Sequence, residues 1–175
     1  MTKWKIDTAH SQIQFKVKHL VVTTVSGTFG KFDAGMDWSG GDLTDAKINF
    51  TAEVDSINTG NAQRDGHLKA EDFFNASKYP EIKFVSKSVK KIDNENYKVE
   101  GDLSLRDVTK PVTLNVVYGG TVKNPYNMIV AGFDITGKIN RSDFGLKWTA
   151  STEAGQLVVS DDVRLDITVE MIQQN

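Results

Sequence analysis

The chain has 175 residues, 21 Lys/Arg against 23 Asp/Glu and no cysteine. That is the size of one all-β domain, without the positive field needed to neutralise nucleic-acid phosphates or to hold an anionic membrane face. Without thiols, disulfides, thiolate metal sites and cysteine nucleophiles are excluded. In chain order, Met1-Thr2-Lys3-Trp4-Lys5-Ile6-Asp7 has no apolar stretch after its positive charges, which sets the expectation of a cytoplasmic or already trimmed chain. No later run approaches the ~20 apolar residues of a membrane-spanning helix, so no integral membrane span is expected.

Nearly every segment then alternates with period two, the mark of a strand with one apolar face. Ile13, Phe15 and Val17 share a face, and the same phase carries His19 to it. Val25–Trp38 holds Phe29, Phe32, Ala34, Met36 and Trp38, with a one-residue slip near Gly30 that predicts a bulge or kink. Ala46–Val54 alternates around Phe50, Glu81–Phe84 around Ile82 and Phe84, and Tyr97–Leu105 around Val99, Leu103 and Leu105. Val112, Leu114, Val116 and Tyr118 follow, then Ile129, Ala131, Phe133, Ile135 and Ile139. Val163, Leu165, Ile167, Val169 and Met171 form the last strand, expected to be the longest. Asp93–Asn96 and Lys123–Asn127 read as hairpin connections, and Pro111 as a strand opener.

Two stretches break the pattern. Asn61–Ala76 is rich in helix formers and reads as a short helical insertion capped by Thr59 or Asn61, with Leu68 and Phe73 or Phe74 turned inward. Asn140–Asp162, with Gly145 and Gly155, reads as a long loop region near a rim.

About eight long alternating strands favour a closed antiparallel β-barrel over a sandwich, because closure buries the shared face and leaves no free edge. The interior of such a barrel is wide enough for its own side chains or one slender ligand. Alternation alone leaves both possibilities open.

The polar clusters suggest little chemistry. His10, His19 and His67 lack a local metal-ligand spacing, so no metal is expected. Arg64-Asp65-x-His67 reads as pairing that fixes the helix to strand ends. Asp7, His10 and Ser11 read as a hydrogen-bonded turn, having no nucleophile-elbow glycines. Trp4, Trp38 and Trp148 read as core packing or rim. No catalytic residue is assigned.

Several pieces form an ordered set: Trp4-x-Ile6-Asp7-x-x-His10-Ser11, Phe15-x-Val17-x-His19, Gly27-x-Phe29, Ser56-Ile57-x-Thr59, Arg64-Asp65-x-His67-Leu68, Phe73-Phe74 and Tyr79-Pro80. Gly101–Val112 with its Val-Thr-Lys-Pro-Val, Arg141-x-Asp143-Phe144-Gly145 and Val163-x-Leu165-x-Ile167 complete it. The chain resembles the YceI-like family, the lipocalin-like polyisoprenoid-binding proteins. Asp107 departs from the family's usual turn glycine, and Asp tolerates left-handed backbone better than most residues.

The resemblance implies an eight-stranded antiparallel lipocalin-like barrel with one short helical insertion, often a homodimer and often periplasmic in relatives. It implies no agreed catalytic residues and no cofactor, but a long apolar pocket in which an isoprenoid or fatty-acyl lipid is sequestered or carried; a tail of roughly twenty or more buried carbons would supply a gross term above about 15 kcal/mol at ~0.8 kcal/mol per methylene. The expected tail contacts are Phe15, Val17, His19, Phe29 and Phe32, then Met36, Phe50, Phe84, Leu103 and Leu105, and finally Val116, Phe133, Ile135, Leu165 and Ile167. Head-group candidates are His19, Arg64, His67 and Trp148. The rival expectations are a ligand-free stress-related barrel and an enzyme acting on a lipid.

Overall fold

Alternating strands bury their apolar faces only by sharing one interior, and here they do so by pairing each with the next until the last meets the first. The computed structural model describes residues 1–148 and 158–175. Its strands are β1 (Thr2–Ile6), β2 (Gln12–His19), β3 (Thr23–Phe29), β4 (Phe32–Trp38), β5 (Lys47–Glu53), β6 (Ile57–Asn58) and β7 (Glu81–Lys91). They continue as β8 (Asn96–Leu105), β9 (Val108–Lys123), β10 (Ile129–Asn140) and β11 (Val159–Gln173), with one helix, α1 (Ala62–Lys69). No helix among the described residues is long and apolar enough to cross a membrane.

These eleven segments make eight staves of a closed antiparallel barrel. β1 and β2 lie end to end on β11, β4 and β3 lie on β1 and β2, and β5 and β6 lie on β4 and β3. Strands β7 to β11 follow as a meander. The three composite staves break at one height: a 3-10 turn at Thr8–His10, Gly30–Lys31, and a 3-10 turn at Val54–Ser56. Backbone bonds from Gly30 N–H to Ser56 O (3.1 Å) and Glu53 N–H to Lys31 O (2.9 Å) hold the break together. The phase slip near Gly30 is this kink.

The first break is fixed by side chains. Asp7 accepts from Ala9 N–H at 3.0 Å and bonds His10 Nδ1 at 2.8 Å, while Ser11 Oγ accepts from Glu170 N–H at 3.0 Å. Hydrogen bonding to Asp7 raises the His10 imidazole above its ordinary pKa, and the same bond holds the Asp7 carboxyl below its own. The Asp7 contribution is present above the unfolded carboxylate pKa and is lost as pH falls through the lowered value. The His10 contribution is present below the unfolded histidine pKa and is lost as pH rises through the raised value. The joint is therefore tightest in the mildly acidic window between them. An NMR titration is expected to place His10 above a free histidine, and Asp7→Asn to lower it towards that value, with Glu170 still acting to raise it.

One end of the barrel is plugged by aromatics. Trp38 is 0 % exposed and packs against Trp4 (5.0 Å between ring centres), Tyr118 (5.7 Å) and Phe133 (6.1 Å). Its indole N–H donates to Asp42 O at 2.9 Å. Trp38→Ala is expected to cost about 3–5 kcal/mol, read by urea unfolding, because so large a void collapses only in part.

Three local expectations are corrected. The longest strand is β9, with 16 residues, and not β11, with 15. Pro111 lies inside β9 opposite Asp102 and does not open it; it is tolerated there because the β9–β10 ladder reaches only to Asn115, leaving that stretch of β9 an edge. The left-handed residue of the β8–β9 turn is Arg106 (φ 54°) and not Asp107.

Candidate functional site: an apolar bore

The inward faces enclose a cavity of about 260 Å³ whose lining side chains, among the described residues, are all apolar except Arg141. Phe15, Val17, Phe29 and Met36 border it from the first two staves, and Phe50, Phe84, Leu103 and Leu105 from the next three. Val116, Phe133, Ile135, Leu165 and Ile167 complete the ring. The phenylalanines do not choke it, because two of them fold onto glycines of the neighbouring strand. The Phe15 ring covers Gly27, its partner in register, and the Phe84 ring occupies the side-chain position of Gly101. On β11, Val163, Leu165 and Ile167 face the cavity yet are only half-buried, since open space lies beside them.

Two of the expected lining residues stand apart. His19 is exposed and borders no part of the cavity. The alternation that places Val17 in the bore continues one step past its upper limit, into the turn where Leu20 and Val21 adopt positive φ. Phe32 sits at the kink, half-buried against the core, and does not reach the lumen.

The far end of the bore is covered by the α1 excursion and the segment after β10. Asn61 caps α1 by accepting from Arg64 N–H at 3.0 Å, and Leu68, Phe73 and Phe74 all reach the cavity. The Phe73 ring packs at a tilt of 39° against Trp148, 5.5 Å between centres, and His67 stands edge-on to both at 5.1 and 5.2 Å. Arg106 Nη1 donates to Phe73 O (3.0 Å) and Gly145 O (3.2 Å), tying the two parts of the cover to the β8–β9 turn.

Head-group candidates Arg64, His67 and Trp148 therefore belong to the cover and do not border the cavity. Arg64 is exposed and donates from Nε to Thr59 Oγ1 and from Nη2 to Thr59 O, both at 2.7 Å, while Asp65 accepts from Thr59 N–H. These bonds pin the helix to the end of β6. The irregular region Asn140–Asp162 opens with a 3-10 turn, Arg141–Phe144, and residues 149–157, including Gly155, lie outside the described residues.

Arg141 was visible only as part of a motif, with no role attached. It is 3 % exposed. Nε donates to Ser160 O (3.0 Å), Nη1 to Leu146 O and Trp148 O (both 2.7 Å), and Nη2 to Val159 O (3.3 Å). Asp161 stands 3.6 Å away. Burial lowers its pKa and Asp161 opposes the shift, so from so high an ordinary value it stays a cation at neutral pH. Its donors are committed to carbonyls, which makes it a clasp for the cover and not a reader of ligands.

Among the described residues the one cluster with metal-ligand types is Asp7, His10 and Glu170, at the kink outside the bore. Its Asp7 carboxylate is already held by Ala9 and His10. His10, His19 and His67 do not come together.

Residues 4–171 match the profile of the YceI-like domain, and the chain belongs to that family. It is 39% identical over 176 residues to a UPF0312 protein of Staphylococcus epidermidis, with all of both chains covered. The YCEI protein of Campylobacter jejuni is 37% identical in sequence, with a TM-score of 0.77 and 90% of each chain covered. A polyisoprenoid binding domain from Saccharophagus degradans, implicated in plant cell wall breakdown, is 17% identical with a TM-score of 0.70; the match covers 99% of this chain and 100% of that one. That last likeness is one of fold.

Proposed function

We propose that the protein binds a lipid with a single flexible apolar tail, isoprenoid or fatty-acyl, and sequesters or carries it without chemical change. The observation that carries this reading is the open, almost wholly apolar bore. A dry apolar cavity of ~150 Å³ takes a benzene ring, so about 260 Å³ seats roughly ten carbons as it stands, well short of the ~20 or more supposed from the sequence. At ~0.8 kcal/mol per methylene, ten carbons give a gross term near 8 kcal/mol, and ordering the tail brings affinity to the micromolar range or weaker. Selectivity then follows girth and length. The polyisoprenoid binding domain of Saccharophagus degradans shares the fold and supports the isoprenoid choice. Among the described residues the one polar lining group is Arg141, which is spent on backbone carbonyls and has no acid–base partner lining the bore, and this favours binding over catalysis.

Native mass spectrometry of gently purified protein tests the proposal. A co-purifying lipid mass, or uptake of added farnesol or dodecanol, is expected. Bare protein that takes up neither probe contradicts it.

A further inference from the structure

The wall of the bore is not laced evenly. β9 and β10 pair from Lys123 and Ile129 up to Asn115 and Thr136, and the ladder stops there. Yet β9 runs on to Val108 against β8, and β10 to Asn140 against β11. Val108–Leu114 and Gly137–Asn140 thus flank a seam without a hydrogen-bonded ladder, and Pro111 offers no N–H to extend one. Leucine side chains bridge the seam, Leu114 from β9 and Leu165 from β11. Leu114 lies over Gly137, where an added Cβ would stand 2.8 Å from Leu114 Cδ2.

Outside the seam lies a groove of about 640 Å³. Its rim carries Lys16, Lys98, Lys138 and Arg164, with Asp166 as the carboxylate among its lining residues. Lys16 pairs with Asp166 (2.9 Å) and Lys138 with Asp162 (3.2 Å); Lys98 and Arg164 have no carboxylate partner among the described residues. Leu165 lines both this groove and the bore. At the seam, then, a basic outer surface and an apolar interior are separated by leucine side chains and no ladder. A wall held by side-chain contact opens at lower cost than one held by backbone hydrogen bonds.

We propose that the β9–β10 seam is a side port of the bore, and that the groove outside it seats the anionic head group, a phosphate or carboxylate, of a lipid whose tail lies inside. This rests on the lipid-binding reading above. It also accommodates tails longer than the bore, since the excess crosses the wall towards the groove.

The test uses the full chain, which has no native thiol. Thr113→Cys with Lys138→Cys places two thiols across the seam, to be bridged by a short bis-methanethiosulfonate linker and released by reductant. Bridging is expected to slow farnesol uptake and release by about tenfold or more, as closing a gate does, with recovery on reduction. Unchanged rates in the bridged protein overturn the port. For the head seat, Lys98→Gln with Arg164→Gln is expected to weaken farnesyl phosphate by about tenfold, the worth of two part-exposed charge contacts, and to leave farnesol unchanged. Equal loss for both ligands, no loss for either, or competition by inorganic phosphate at matching concentration overturns the seat. Failure of the unmodified protein to bind either lipid is a different result, which sinks the lipid-binding reading itself.

Discussion

A bore filled from within is expected to lose its ligand. Ile135 and Ile167 face each other across β10 and β11, and both border the cavity. Ile135→Trp combined with Ile167→Trp removes the room for about half of a ten-carbon tail, worth ~4 kcal/mol at 0.8 kcal/mol per methylene. Partial relaxation of the wall returns some of that, so affinity for farnesol should fall by about a hundredfold. Thr168→Trp, on the exposed face of the same strand, is the control and should bind as the unmodified protein does. Isothermal titration with each variant, beside its melting curve, separates a blocked lumen from a broken fold.

The second large effect concerns the clasp. Arg141→Met keeps the apolar stem and deletes the guanidinium, leaving the carbonyls of Ser160, Leu146, Trp148 and Val159 without their donor. Unpaired buried carbonyls cost about 1–3 kcal/mol each before relaxation, and a net loss of about 3–5 kcal/mol is expected. For a domain of this size that lowers Tm by about 10–15 °C. Arg141→Lys should recover little of it, since one ammonium cannot reproduce a planar fork aimed at four acceptors. Calorimetry checks the size of the effect. Hydrogen exchange should show it first in the cover, around Phe73 and Leu146, and last in the Trp38 plug.

How much of this was legible beforehand differs from residue to residue. The staves were, because period-two alternation depends on neighbours along the chain, as at Val112–Tyr118 and Val163–Met171. So was the kink at Gly30, where the phase slips. The emptiness of the bore was not. It depends on Phe15 meeting Gly27, a pairing set by strand register that no single segment encodes. His19 misled because alternation says which way a residue faces, but not where the lumen ends. Arg141 was hidden for another reason. A lone arginine in an irregular stretch reads as solvated, and its burial follows only when four carbonyls from two segments converge on it. The seam was not legible: Pro111 reads as a strand opener, and only the registers of β9 and β10 bring the two unladdered edges together.

The central claim, that an apolar tail lies along the bore, is tested most directly at its floor. Trp38 packs on Phe133, which borders the cavity, so a heavy atom at the end of a seated tail comes within quenching range of its indole. In protein carrying Trp4→Phe and Trp148→Phe, Trp38 is the remaining tryptophan of three. Titration with a fatty alcohol brominated at its terminal carbon should quench this fluorescence saturably, and the isomer brominated beside the hydroxyl should quench it far less. Equal quenching by both isomers, or none by either at concentrations that saturate binding, would contradict a tail seated in the bore.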